Sequence, residues 1–175
     1  MKGAVHRFAQ GAGALFAFAR SPDLDLARRH LSPCEYHAFR LMSRSEQLHS
    51  LNVLRKALKA DPAAPRSLRT AALLHDVGKS RCHLSTWQKT FAVIIEAIAP
   101  RLSRRLSEDE TISFWRAPFV VRRHHAKWSG EILRNCDSGA DVIWLVESHQ
   151  DDPERHRNSQ RYELLASLQS ADGQC

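Results

Sequence analysis

The stretch LLHDVGK, residues 73 to 79, sets His75 and Asp76 directly after an apolar run. Carrying an imidazole and a carboxylate towards a core costs several kcal/mol unless each finds a partner. A salt bridge, a backbone carbonyl or a metal ion would each serve. The chain holds ten histidines, and the placement of a few is shared with this pair. His49 lies beside the leucine stripe of EQLHSLNVL, His149 ends the run DVIWLVESH, and Asp172 follows LLASLQSA. Each places a nitrogen or oxygen donor at the edge or end of an apolar helical segment. Successive helical positions diverge by about 100°, so His75 and Asp76 do not share one face. Both can still approach a cation lying between helices, as in the metal sites of helical bundles. The plain alternative is that each polar group only terminates its own helix. Imidazole and carboxylate together suit Mn, Fe, Co, Ni or Zn, whereas a carboxylate-only site would lean to Mg. A divalent cation lowers the pKa of bound water from about 16 towards about 7, which supplies hydroxide at neutral pH.

The elements that must position these groups read as helices nearly throughout. SPDLDLARRHL offers Ser21 as an N-cap and Pro22 as a first helical residue. SPCEYHAFRLM repeats that signature, with Ser32 and Glu35 at capping-box spacing. Leu48, Leu51, Leu54 and Leu58 recur at helical intervals. After the break DPAAPRS, LRTAALLHD begins another helix. STWQKTFAVIIEAIA is apolar around most of its circumference and is expected to be well buried, with Pro100 stopping or redirecting it. RLSRRLSEDE reads as a solvated turn or short helix. APFVVRRHH, SGEILRNC, ADVIWLVESH and RYELLASLQSAD follow as further helices. VIWLV alone has strand character, but isolated between helices it would have no neighbour to pair with. The expected fold is a single all-α helical bundle.

Bulk composition agrees. A chain of 175 residues is long enough for one core without disulfides or structural metal. Seven glycines and seven prolines are too few for a turn-rich all-β chain. The net charge of +7 favours acidic partners: nucleotides, nucleic acid or an anionic surface. Nucleic acid is disfavoured, because the chain lacks interleaved aromatic and basic residues and a helix-turn-helix signal. Cys34, Cys82, Cys136 and Cys175 form no C-x-x-C pair, so a zinc ribbon or thioredoxin-like site is unsupported and a reduced, cytoplasmic setting fits best. GAGALFAFA, near the start, is shorter than the about 20 residues that span a bilayer and reads as an amphipathic first helix. No membrane partner is expected.

Taken together, HSLNVL at His49, LLHDVGK at His75 and Asp76, HAKWSGEIL at His125, LVESH at His149 and SLQSAD at Asp172 resemble the HD-domain phosphohydrolase superfamily. The resemblance implies an all-α domain over residues 44–175, with residues 1–43 as N-terminal helices packed on it. It implies a divalent metal, one ion or two, and hydrolysis of a phosphoester or phosphoanhydride bond. By position, His49, His75, Asp76 and Asp172 match the core metal ligands. His125 and His149 match the extra histidines of the two-metal branch, in which the aspartate of the HD pair bridges both ions. His124 rivals His125, but the spacing to SGEIL favours His125. Asp76 and Lys79 are the expected catalytic residues, with Lys79 near substrate phosphate and Gly78 as a turn or helix C-cap. Arg44 and Arg123 are weaker phosphate candidates, as are Arg122 and Lys127. Trp115 and Trp128 could stack on a base, though core packing is favoured.

After His149 comes QDDPERHR, without the Gly-Tyr-Pro signature of cyclic-di-GMP phosphodiesterases. The sequence runs three residues past Asp172, where fraying would weaken the site. The implied function is a metal-dependent phosphohydrolase acting on a small phosphorylated compound, a nucleotide foremost. The competing reading is a non-catalytic HD module that binds metal or nucleotide. Oligomeric state is left open.

Overall fold

The computed structural model describes residues 21–175, so the helix expected at GAGALFAFA lies outside the described residues. The described chain is helical, with no strand. In order come α1 (Leu24–His30), α2 (Pro33–Leu41), α3 (Arg44–Ala60), α4 (Arg66–Leu74) and a 3₁₀ turn, η1 (Val77–Arg81). α5 (Thr86–Ile98), α6 (Pro100–Leu106), α7 (Ala117–Arg134), α8 (Ala140–Ser148), a second 3₁₀ turn (Pro153–His156) and α9 (Tyr162–Gly173) follow. VIWLV is helical, as its isolation from other strand-forming runs requires. APFVVRRHH and SGEILRNC belong to one continuous helix, α7, rather than two.

Helix starts follow their capping chemistry. Ser32 and Ser43 each head a capping box: their hydroxyls accept from the Glu35 and Glu46 amides, and their own amides donate to the Glu35 and Glu46 carboxylates. The first described helix begins later than Ser21 suggests. Asp23 is its N-cap, accepting from the Leu26 amide at 3.0 Å.

α4 is the hub, packed against α3, α8 and α9 as well as α1 and α2. Ala71, Ala72, Leu73 and Leu74 are fully buried, and each such leucine contributes roughly 2–3 kcal/mol through removal of apolar surface from water. One core runs from Ala27 and Phe39 of the first helices to Leu165 and Leu168 of α9. α7 meets η1 along its middle, where Val121 and Trp128 pack near Cys82 and Leu84.

Two expectations are corrected. α5 is apolar on most sides yet buries only Gln88 and Ala92, because among the described helices it packs mainly on α6 and α7. The cysteines are not all thiols: Cys34 of α2 and Cys136 beyond α7 form a disulfide, leaving Cys82 and Cys175 free. Asp137, at φ 52°, turns the chain sharply after Cys136, a conformation that aspartate tolerates better than most residues. Among the described residues, no helix is long and apolar enough to cross a membrane.

Candidate metal centre

The hub helix ends at Leu74, and His75 caps it with its amide still bonded to the Ala71 carbonyl at 2.8 Å. Asp76 then leaves the helix (φ −102°, ψ 5°) and starts η1. This change of backbone direction lets adjacent side chains reach one centre despite their helical divergence. Both are buried, at 1% and 5% exposure.

Gly78 holds the turn against α7. A Cβ there would sit 2.1 Å from the His125 carbonyl oxygen and 2.7 Å from the Ser129 amide nitrogen. The glycine is therefore required by close approach of two backbones, not by a C-cap conformation. Its amide donates to Ser129 Oγ at 2.8 Å, and that hydroxyl donates to the His75 carbonyl at 2.9 Å. Ser129 thus stitches α7 to the HD turn; in the sequence only its place in SGEIL hinted at a role. Gln169 is another such residue: its amide nitrogen donates to the carbonyls of His149 and Asp151, at 3.0 and 2.7 Å, and ties α9 to the end of α8.

Around Asp76 the histidines converge. Asp76 Oδ1 lies 3.2 Å from His125 Nε2 and 3.8 Å from His149 Nε2. Oδ2 lies 3.6 Å from His75 Nε2. Asp172 Oδ1, from α9, is 2.9 Å from His49 Nε2 and 3.7 Å from His75 Nε2. The donors form two triads that share the aspartate: His49, His75 and Asp76 on one side, Asp76, His125 and His149 on the other. Within each, the donor atoms lie within 4.8 Å of one another, close enough to hold a metal ion.

Protonation decides what such a cluster can accept. Nδ1 of His75 faces the Ala72 carbonyl at 3.2 Å, that of His125 the Val121 carbonyl at 2.9 Å, and that of His149 the Val146 carbonyl at 2.7 Å. A carbonyl only accepts, so Nδ1 carries the proton in all three, and a neutral ring then turns its Nε2 lone pair inward. Burial keeps His149 neutral, pushing it down to about 3, with the neighbouring His75 adding to the effect. Burial also pushes His75 down, by more than Asp76 and Asp172 raise it. For Asp76, burial favours the neutral acid, but positive charge beside it, the Lys79 ammonium included, outweighs this and holds the group well below the usual carboxylate range. Acceptors therefore face acceptors. Among the described residues, Nε2 of His75 and of His125 are buried without a hydrogen-bond partner of acceptable geometry. Such orphaned groups are costly unless a cation meets them.

A cavity of about 400 Å³ opens over this centre, and His49, Asp76, Lys79 and His125 line it. Leu84, Ala92 and Val121 form an apolar wall. Lys79 Nζ donates to Asp76 Oδ2 at 2.6 Å from the rim of the centre. His124 points elsewhere, with Nε2 2.9 Å from the Ser107 carbonyl and its ring stacked on Trp128. Exposed Arg44 and Arg123 are outside the residues lining this cavity; Lys89 and Arg122 stand there instead, each paired with a glutamate. Trp128 is buried, but Trp115 is 63% exposed, against the expectation of core packing.

Residues 48–173 match the HD domain family. The chain belongs to the HD domain family. The match takes in all six converging side chains, from His49 to Asp172, and begins after α1 and α2. No curated protein and no solved structure matches the chain. HD domains are generally metal-dependent hydrolases, and the histidine–aspartate groups described here can hold the divalent metal.

Proposed function

We propose that this HD domain is a phosphohydrolase that cleaves a phosphoester or phosphoanhydride bond, with a nucleotide as the first substrate to test. The observation that carries the reading is the pair of buried Nε2 atoms of His75 and His125, unpartnered among the described residues, beside a cavity that His125, Asp76 and Lys79 line. His49, His75, Asp76 and Asp172 would hold one divalent ion, and Asp76, His125 and His149 a second. Such ions supply positive charge to a phosphoryl oxygen and lower the pKa of water.

The chain's own residues do the rest. The Nδ1 hydrogen bonds to backbone carbonyls fix the ring orientations before any ligand arrives, so little reorganisation remains. Asp76, kept ionised, is the acceptor common to both halves of the centre. Lys79 carries a compact positive charge at the cavity edge, suited to a phosphoryl oxygen. The wall of Leu84, Ala92 and Val121 excludes water from one side and strengthens these electrostatic contacts.

Elemental analysis of untreated protein, followed by a nucleotide and phosphoester screen with the metal found, tests the reading. Bound Mn, Fe, Co, Ni or Zn and turnover lost in Asp76→Ala and His75→Ala are the expected results. Both variants retaining metal and full turnover would refute it.

A further inference from the structure

Leu41 apart, every large hydrophobic side chain exposed among the described residues falls between Trp87 and Trp115. α5 accounts for most of them through a second apolar stripe. Gln88 and Ala92 face inward, while Trp87, Phe91, Ile94 and Ile98, spaced at helical intervals, stand 36–73% exposed. Leu102 of α6 extends the stripe at 47% exposure. Phe114 and Trp115 join it from the loop before α7, their rings 5.7 and 6.3 Å from Trp87.

Beside this patch, Arg101, Arg104 and Arg105 of α6 are exposed and make no ion pair among the described residues. The neighbouring acids are engaged: Glu96 with Arg122 at 2.6 Å, Asp109 with Arg116 at 2.9 Å, and Glu110 with Lys127 at 2.5 Å. Exposed Glu108 makes no ion pair among the described residues.

We propose that the α5–α6 face docks on an anionic lipid surface. The apolar stripe and aromatic rings enter the interfacial layer, and the three arginines meet the headgroups. Aromatic and aliphatic side chains beside arginine are the composition that lies in a bilayer interface without crossing it. A second copy of the chain fits less well, since two-fold pairing places the same patch, and its arginines, on both partners. Nucleic acid would answer the arginines but leave Ile94, Ile98 and Leu102 with nothing to bury against. Val93 both lines the cavity and is 47% exposed, so the cavity opens beside the docking face.

The test is co-sedimentation of the full chain with vesicles of phosphatidylcholine alone or mixed with phosphatidylglycerol. Binding to the anionic vesicles that weakens with salt is expected. Each arginine near an anionic surface is worth about fivefold in partition, so R101Q/R104Q/R105Q together should weaken it by roughly 100-fold. I94S/I98S, at exposed positions, should also abolish it while leaving the helical spectrum intact. Absence of anionic-vesicle binding, or equal binding by the triple arginine variant, overturns the proposal. So does a dimer of the free protein that I94S/I98S dissolves, because that outcome assigns the face to a second copy.

Discussion

Replacing Gly78 by alanine adds a single carbon where two backbones already touch. That Cβ would lie 2.1 Å from the His125 carbonyl oxygen and 2.7 Å from the Ser129 amide. Ordinary contacts begin near 3.4 Å, so η1 and α7 must separate by about 1 Å, and neither neighbour is a flexible side-chain end. Overpacking of this kind costs about 1–3 kcal/mol. Loss of the Gly78–Ser129 and Ser129–His75 hydrogen bonds adds about 1 kcal/mol each. The reduced entropy of the unfolded alanine chain offsets about 0.4–1 kcal/mol. The net expectation is about 2–5 kcal/mol of destabilisation. The same displacement separates Asp76 from His125, now 3.2 Å apart, so metal affinity should fall with stability. Urea denaturation with and without chelator, together with metal titration, measures both. Gly173→Ala is the control, since a Cβ there meets nothing within 4 Å although Asp172 is its neighbour. A Gly78→Ala protein with the parent's urea midpoint and metal affinity would refute the close-approach argument.

Two further expectations concern protons and thiols. His149 is held neutral, with a pKa of about 3 against about 6.5 when unfolded. The unfolded chain therefore binds the extra proton, and stability that is complete above about pH 6.5 is lost as pH falls towards 3, at up to about 1.4 kcal/mol per unit and roughly 5 kcal/mol in all. Urea midpoints of the chelated protein should drop steadily below about pH 6.5; a flat profile, or the same slope in His149→Leu, speaks against it. The Cys34–Cys136 disulfide closes a chain separation of 102 residues, so reduction or Cys34→Ser should cost about 2–4 kcal/mol. Unfolded, unreduced protein should titrate as two thiols, Cys82 and Cys175, and finding four would show that the pair does not form.

The helices and the six converging side chains were legible in order along the chain. Apolar periodicity is local, and a polar group at the end of an apolar helix must be matched wherever that helix packs. His124 against His125 was open to spacing arguments alone, and packing resolves it: α7 turns one ring to Asp76 and the other onto Trp128. Features set by which elements lie over one another were misread or missed. Gly78 reads as a turn or a C-cap from sequence alone, because its neighbour, the backbone of α7, is about 50 residues away. Ser129 and Gln169 look like ordinary polar residues until their bonds to His75 and His149 are seen. Cys34 and Cys136 showed no local pattern, since their pairing depends on how α2 meets the end of α7.

α5 marks the boundary most clearly. Its sequence determined that it is a helix and that it is apolar on most sides. Only the tertiary structure decided that one stripe packs on α7 while the other faces outward, because hydrophobicity states that a surface favours cover without stating what supplies it. LLHDVGK is the opposite case. Burial and charge already required a partner for His75 and Asp76, and the fold decided which distant residues would stand around them.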